Sequence, residues 1–243
     1  MEHDLKGILF DLGDTLLNFG RVDVPSLFEA GARLAYDYLQ SLGQPLPPFP
    51  SYHRRQYWAI RWNIVRSHLR RREFNSLNLI ARLSRRMGHS LTRDQLVELA
   101  WLCYKPLSDC ADVEEGTADV LEGLRDGGYS LGVVSNTFVP GQVLDRHLEA
   151  VGLLEYLPIR VYSCDVRYRK PNPRIFRLAL ERVGISPREA MFVGDSPRAD
   201  VYGANPDVDI MDSRIDALLA FDVVDRLGEI DAEVLVLGVR NDH

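Results

Sequence analysis

Short apolar runs recur along the chain, and each ends close to a polar residue. The runs cover residues 7–10, 131–134 and 190–193, and a weaker run covers 159–163. Apolar runs of this length between polar loops are typical of strands that are buried on both faces of a parallel sheet. Beyond residue 210, the pattern predicts a further strand, a helix over 215–220 and a last apolar run over 234–237.

Helical patterns lie between these runs. One covers residues 117–126 and is followed by two glycines, and another covers 174–183, with Pro173 before it and Gly184 after it. Proline at the first helical position and glycine after the last one are boundary signals of helices. Strands that alternate with helices indicate an α/β fold, here a Rossmann-like parallel sheet with helices on both faces.

Three of the predicted strands end next to a functional side chain. These side chains are Asp11, Ser135 and Asp195. In parallel α/β sheets, ligands bind beyond the carboxyl ends of the strands. We therefore expect the three side chains to lie on one rim of the sheet.

The segment 19–107 departs from this alternation because it contains helical patterns and no convincing strand. Its four helical stretches cover residues 24–42, 52–69, 75–87 and 93–103. This pattern predicts an all-helical four-helix bundle, inserted as a cap into a core that consists of residues 1–18 and 108–243. Trp58 and Trp62 lie four residues apart and share a helix face, and we interpret them as part of the core of the bundle.

The composition is typical of a globular protein without a membrane span. Of the 243 residues, 46% are apolar and 26% are charged, and no apolar run reaches the length of about eighteen residues that a spanning helix needs. The N-terminus lacks the features of a secretory signal. The three cysteines have no metal-ligand spacing, and we interpret them as reduced thiols; Cys103 and Cys110 could pair, but burial as small apolar side chains is favoured. We expect a cytoplasmic monomer or homodimer that does not bind membranes.

Charge is distributed unevenly along the chain. Residues 20–110 contain 14 basic and 7 acidic side chains, whereas the rest of the chain contains 15 basic and 28 acidic ones. A basic segment on an acidic body indicates either a part that meets an anion or a solvated helical face. We hypothesise that some of five arginines face the site and recognise an anionic group of the substrate: Arg54, Arg55, Arg61, Arg66 and Arg70. Nucleic-acid binding is not expected, because the body is acidic and no aromatic-basic stacking motif is present.

Four short motifs follow one another in the predicted loops. They are Asp11-Leu12-Gly13-Asp14-Thr15-Leu16, Val134-Ser135-Asn136-Thr137, Arg169-Lys170-Pro171-Asn172-Pro173, and Val193-Gly194-Asp195-Ser196 with Asp200 and Gly203-Ala204. Each is weak alone, but their order and their strand or helix context resemble the four motifs of the haloacid dehalogenase superfamily. The resemblance extends from Asp11 to Ala204, and a helical insertion after the first motif is similar to the cap of one subclass.

This resemblance implies a nucleophile and a metal site. The leading Asp11 would be the nucleophile, and Asp11, Asp195 and the backbone carbonyl of Gly13 would hold Mg²⁺. Aspartate carboxylates are known nucleophiles in covalent catalysis. Magnesium favours one or two carboxylates together with substrate oxygens, and it neutralises charge as an anionic nucleophile approaches a phosphate.

The resemblance also implies a phosphate-binding set. Lys170 would supply positive charge to the phosphoryl oxygens and to the carboxylates. Ser135 would bind a nonbridging oxygen, and Asn136 would fix that loop or contact the substrate. Asp200 would hold Lys170 or a metal-bound water in place.

The first motif departs from the pattern of the superfamily's phosphatases. Those enzymes usually carry a second aspartate two positions after the nucleophile, as the general acid and base, and this chain has Gly13 there. Either Asp14 reaches the leaving group, with Gly13 allowing unusual backbone angles, or the acid is absent. Loss of a general acid typically costs about 100- to 10,000-fold in rate.

The expected function is a magnesium-dependent phosphohydrolase that acts on a small phosphorylated metabolite through an aspartyl-phosphate at Asp11. The alternative is a weak or inactive member that binds a phosphometabolite or a partner protein. Two-haloacid dehalogenases also lack the second aspartate, but their last motif carries Ser and Asn, so Gly194-Asp195 argues against dehalogenation. Phosphonate hydrolases use a cap lysine, and the inserted segment has only Lys105, at its end.

Overall fold

A computed structural model describes residues 5–196 together with 199 and 200. The motif residues Gly203 and Ala204 and the elements predicted beyond residue 210 lie outside the described residues. None of the helices in the described part of the chain is long and apolar enough to cross a membrane. Cytoplasmic location and oligomeric state stay predictions.

The predicted parallel sheet is confirmed. Its strands are β1 (Gly7–Phe10), β2 (Ser130–Ser135), β3 (Ile159–Tyr162) and β4 (Ala190–Val193). They lie in the order β3-β2-β1-β4, and every neighbouring pair is parallel. Leu9 of β1 pairs with Gly132 on one side and with Phe192 on the other. Strand β1 is therefore flanked on both sides, and the residue that follows it emerges between the neighbouring strands.

Helices cover both faces of this sheet. They are α5 (Thr117–Asp126), α6 (Gly141–Ala150), α7 (Ser163–Val166) and α8 (Pro173–Val183), together with short 3-10 turns at Leu154–Tyr156 and Pro187–Glu189. Ile8 and Phe10 pack on the side of α5 and α6, whereas Leu9 packs on the side of α8. Helix α8 begins where Asn172 accepts a hydrogen bond from the backbone N–H of Arg174, and it ends at Gly184 in the left-handed conformation.

Five helices lie between β1 and β2: α5, and four others that match the predicted helical insertion, which we refer to as the inserted helices. They are α1 (Val24–Ser41), α2 (Phe49–Arg70), α3 (Ser76–Arg86) and α4 (Arg93–Ser108). Helices α1 and α4 approach so closely that a Cβ at Gly31 would collide with the backbone of Cys103. A single hydrophobic cluster extends from these helices to Ile8 and Val133 of the sheet. The proposed domain boundaries, 19–107 for the cap, stay a prediction.

The prediction that Trp58 and Trp62 belong to the core of the bundle is wrong. Their side chains are 62% and 67% exposed. Helix α2 packs through its opposite side instead, where it buries Tyr52, Gln56 and Ser67. A spacing of four residues indicates that two side chains share a face of a helix, but it does not indicate which face is buried.

The cysteines differ in their burial. All three are free thiols in the described part of the chain, as expected. Cys164 is buried, Cys103 is partly buried and Cys110 is exposed. The expectation of burial is therefore wrong for Cys110, which lies two residues after the end of α4 at Ser108.

Candidate active site

Asp11 lies directly beyond the carboxyl end of β1. Its backbone N–H donates a hydrogen bond to the carbonyl of Val193 at 2.8 Å, which extends the ladder between β1 and β4. The N–H of Leu12 donates to Oδ1 of Asp11 at 2.7 Å. The side chain of Asp11 is 13% exposed, so it can still meet a ligand from the open rim.

Lys170 places a buried cation between two carboxylates. Its Nζ lies 2.8 Å from Oδ1 of Asp11 and 2.6 Å from Oδ1 of Asp200. The side chains of Lys170 and Asp200 are only 1% and 2% exposed. Buried charges are stable only when they are paired, so these contacts fix the ammonium group in place. Gly194 permits this packing, because a Cβ at that position would collide with the carboxylate of Asp200.

Three carboxylates converge at this point. One oxygen each of Asp11, Asp195 and Asp200 lies within 4.8 Å of the others. Burial, followed by the charges of Asp11, Asp200 and Asp14, raises the pKa of Asp195 to about 6. The pKa of Asp200 is also raised, mainly by burial and against the effect of Lys170. Clustered carboxylates repel one another when they are ionised. A divalent cation that takes oxygen ligands can bind among them and offset this repulsion.

Asn136 ties the loop after β2 to the loop that carries Lys170. Its Nδ2 donates to the carbonyl of Lys170 at 3.0 Å, and the N–H of Lys170 donates to its Oδ1 at 2.7 Å. Because both ends of the amide are engaged, this geometry favours the loop-fixing role of Asn136 over a substrate contact. Ser135 is the last residue of β2 and is buried at the edge of the same site.

The loop after Asp11 turns at Asp14 and not at Gly13. Asp14 has a φ of 56°, and Gly13 does not adopt the left-handed conformation, so the idea that Gly13 supplies unusual backbone angles is wrong. Asp14 is exposed, and its Oδ1 lies 3.5 Å from the N–H of Phe19. Its charge is the smallest of the three that raise the pKa of Asp195. A Cβ at Gly13 would meet only the Phe19 ring, at 3.7 Å.

Comparison with known proteins places this arrangement in a family. Residues 5–206 match the family model for haloacid dehalogenase-like hydrolases. The chain belongs to that family. Among curated relatives of this chain, phosphoglycolate phosphatases from Escherichia coli K12 and Salmonella typhi are 38% and 36% identical over 97 residues. These matches cover 37% of this chain and 37% of the relatives' own length.

A solved structure shares the fold of this chain. A 2-haloacid dehalogenase from Pseudomonas syringae pv. Tomato DC3000 is 22% identical with a TM-score of 0.52, and the match covers 82% of each chain. At this identity the likeness shows the fold alone. A HAD phosphatase from Thermococcus onnurineus is 30% identical with a TM-score of 0.49, covering 82% of this chain and 81% of that one.

Within the described residues, the arginines of α2 have no contact with Asp11, Asp195 or Asp200. The five named above are all exposed. Arg61 donates to the hydroxyl of Tyr57 at 2.8 Å, on its own helix. Their role in recognising an anion stays a hypothesis.

Sequence reasoning missed an ion pair beside the site, between a buried carboxylate and a partly buried guanidinium. Glu73 lies in the short segment between α2 and α3, and its Oε2 lies 3.2 Å from Nε of Arg169, the residue before Lys170. In the sequence, Glu73 falls between the predicted helical stretches 52–69 and 75–87, and no role was predicted for it. The available signal was a single acid at the end of the Arg70-Arg71-Arg72 run, which does not reveal a partner almost a hundred residues away.

Proposed function

We propose that this hydrolase is a magnesium-dependent phosphatase that cleaves the monoester of a small phosphorylated metabolite. The observation that best supports this proposal is the buried Lys170 ammonium, held between Asp11 and Asp200 at the carboxyl end of a central strand. A fixed cation beside a carboxylate nucleophile suits a reaction in which negative charge gathers on phosphoryl oxygens.

The proposed metal ligands are the carboxylates of Asp11 and Asp195 and the backbone carbonyl of Gly13. When bound, Mg²⁺ would neutralise the charge of the phosphoryl group and of the nucleophile. The clustered carboxylates and the raised pKa of Asp195 support a cation there, because a cation relieves the repulsion among the three acids.

In the proposed reaction, a carboxylate oxygen of Asp11 attacks phosphorus. A bond forms between this oxygen and phosphorus, and the ester P–O bond breaks. Lys170 and the hydroxyl of Ser135 bind phosphoryl oxygens, while Asp200 orients Lys170. Water then attacks the aspartyl-phosphate, which releases inorganic phosphate and restores the carboxylate of Asp11.

We assign the proton transfers to Asp14. It would protonate the leaving oxygen in the first step and accept a proton from the attacking water in the second. Its place in the loop that follows Asp11 supports this role, and its charge contributes to the raised pKa of Asp195. Its exposed position would allow it to reach a leaving group that enters from solvent.

The inserted helices would act as the cap of this site. Caps exclude bulk water from a reactive intermediate and select substrates by size and charge. A bundle of four helices leaves room for a small molecule better than for a folded phosphoprotein. The curated relatives are named as phosphoglycolate phosphatases, so a small phosphorylated acid is the first substrate to screen.

One observation favours a second candidate. Gly13 stands where phosphatases of this superfamily usually carry the general acid, so the protein would bind a phosphometabolite without turnover if Asp14 does not serve as the acid. Both candidates would use the metal site and Lys170, but only the phosphatase would hydrolyse the bound phosphate ester.

Hydrolysis of a chromogenic aryl phosphate, with and without Mg²⁺, tests the proposal. Aryl leaving groups need little protonation, so activity is expected even if proton transfer is inefficient. We expect magnesium-dependent turnover in the native protein, none in Asp11→Asn, and unchanged turnover in Asp119→Asn, which makes the same chemical change on an exposed position of α5. Magnesium binding without turnover in the native protein would instead support the binding protein.

A further inference from the structure

Glu73 is a buried carboxylate that belongs to the inserted helices. Its side chain is 4% exposed. Oε1 accepts hydrogen bonds from the hydroxyl of Ser67 at 2.9 Å and from the N–H of Phe74 at 3.2 Å. Oε2 lies 3.2 Å from Nε of Arg169 and 3.4 Å from the hydroxyl of Ser163. Two of these four partners, Arg169 and Ser163, therefore belong to the part of the chain that carries the sheet.

The contact between Glu73 and Arg169 joins Glu73 to the loop that carries Lys170. Arg169 directly precedes Lys170, and its second guanidinium nitrogen donates to the hydroxyl of Ser67 at 3.1 Å. Arg169 is thus held by two side chains of the inserted segment, Glu73 and Ser67. The backbone of the next residue, Lys170, is held by Asn136.

The second contact leads to the loop after β2. The hydroxyl of Ser163 accepts a hydrogen bond from the N–H of Thr137 at 2.8 Å. The same hydroxyl can donate its proton to the carbonyl of Thr137 at 3.0 Å or to Oε2 of Glu73 at 3.4 Å. Thr137 follows Ser135 and Asn136 directly, so Glu73 reaches both phosphate-binding loops through one intermediate each.

The segment around Glu73 is docked on the rim by further contacts. The N–H of Ser76 donates to the carbonyl of Phe138 at 2.9 Å, and the ring of Phe74 stacks on that of Phe138 at 5.2 Å. Nδ2 of Asn75 donates to Asp165 at 2.9 Å. These contacts keep the carboxylate of Glu73 inserted between the two loops.

We propose that Glu73 is a positioning residue. It couples the docking of the inserted helices on the rim to the conformation of the loops that carry Ser135 and Lys170. A buried carboxylate and the guanidinium that it pairs are stable only together. Withdrawal of Glu73 therefore leaves Arg169 without its charge partner, next to the residue that binds the phosphoryl group. This inference rests on the proposed function, and it adds a residue outside the four motifs to the site.

The test compares Glu73→Gln with Asn75→Ala. The first variant keeps the size of the side chain and removes its charge, whereas the second removes a docking contact of the same segment that does not reach either loop. We expect kcat for the aryl phosphate to fall by about tenfold or more in Glu73→Gln, with KM changed by less than about threefold. Asn75→Ala should keep kcat within about twofold even where its unfolding midpoint is lower.

A double-mutant cycle separates positioning from a general loss of stability. Arg169→Met alone should also lower kcat, and Glu73→Gln with Arg169→Met should be no slower than the slower single variant, because the two residues act as one pair. A value of kcat in Glu73→Gln within twofold of native, or losses that multiply in the double variant, would overturn the inference.

Amide hydrogen exchange gives a readout that does not depend on turnover. Glu73→Gln should exchange faster than native protein at residues 135–138 and 168–172, and Asn75→Ala should not. If the native protein has no activity, the proposed function fails and exchange alone decides the inference. Unchanged exchange in these two loops overturns it whatever the kinetics show.

Discussion

At the scale of single residues, the loop after β1 decides which group can transfer a proton. Asp14 occupies the left-handed turn that Gly13 was expected to form, and its charge contributes to the raised pKa of Asp195. The spacing of the motif showed that Asp14 lies one position later than the second aspartate of the superfamily's phosphatases. It could not show where the chain turns, because the turn depends on contacts such as the hydrogen bond from the N–H of Asp14 to Leu17 at 2.7 Å.

The role assigned to Asp14 predicts a difference between leaving groups. Asp14→Asn should lower turnover of an alkyl phosphate by about 100-fold or more, because a poor leaving group needs a proton. Turnover of an aryl phosphate should fall far less. Steady-state kinetics on the two substrates measure the difference, and an equal loss on both would contradict the assignment.

A compensating variant is available for this prediction. A side chain at Gly13 meets only the Phe19 ring, so Gly13→Asp fits without backbone strain. Introduced into Asp14→Asn, it should recover part of the alkyl-phosphate activity, whereas Gly13→Asn in the same background should recover none.

The raised pKa of Asp195 predicts how metal binding depends on pH. Below a pH of about 6 this carboxyl is largely protonated in the metal-free protein, and a protonated carboxyl is a poor ligand for Mg²⁺. The apparent affinity should therefore fall as pH decreases through about 6 and should level off above pH 7. Calorimetric titration with Mg²⁺ between pH 5 and pH 8 measures this dependence.

Asp14→Asn serves as the control for the titration. It removes a neighbouring negative charge without removing a proposed ligand, so the midpoint should move to lower pH while the affinity at high pH is retained. An affinity that stays constant from pH 7 to pH 5 would contradict the assignment of Asp195 as a ligand.

At the scale of elements, local signals predicted the strands and several helices well. Strands β1 and β4 have the predicted bounds, and so does α5. Helix α8 follows Asn172 and ends before Gly184, because both boundaries are encoded by neighbouring residues. The end of α4 was not predicted from neighbouring residues in this way. Helix α4 continues through Pro106 to Ser108, five residues beyond the predicted end at Cys103.

No element was predicted over Gly141–Ala150, where α6 forms. The helix buries Val143, Leu144 and Leu148, and it begins at Gly141, directly after Pro140. A proline just before a helix is compatible with its first turn, so Pro140 does not argue against a helix here.

The exposed position of Trp58 and Trp62 makes a prediction about stability. Trp58→Ala and Trp62→Ala should each change the free energy of unfolding by about 0.5 kcal/mol or less, because they remove little buried area. Trp101→Ala on α4, where the side chain is 8% exposed, should cost about 3–5 kcal/mol. Urea unfolding compares the three variants; a loss of several kcal/mol at Trp58 or Trp62 would place them in a packed core after all.

At the scale of the whole molecule, topology made the site predictable. Parallel strands bring their carboxyl ends to one rim, and Asp11 and Asp195 lie together there with Asp200. What the sequence did not reveal is the contact between the inserted helices and that rim. Glu73 and Arg169 are separated by 96 positions, and neither the periodicity of α2 nor the motif around Lys170 indicates that they meet.

The central claim is that Asp11 carries the phosphoryl group during turnover. It is tested most directly by acid quenching of the magnesium-loaded protein with a ³²P-labelled aryl phosphate, followed by peptide mapping. We expect a hydroxylamine-sensitive label on the peptide that contains Asp11, and none in Asp11→Asn. Turnover without a labelled peptide, or a label at another residue, would contradict the account.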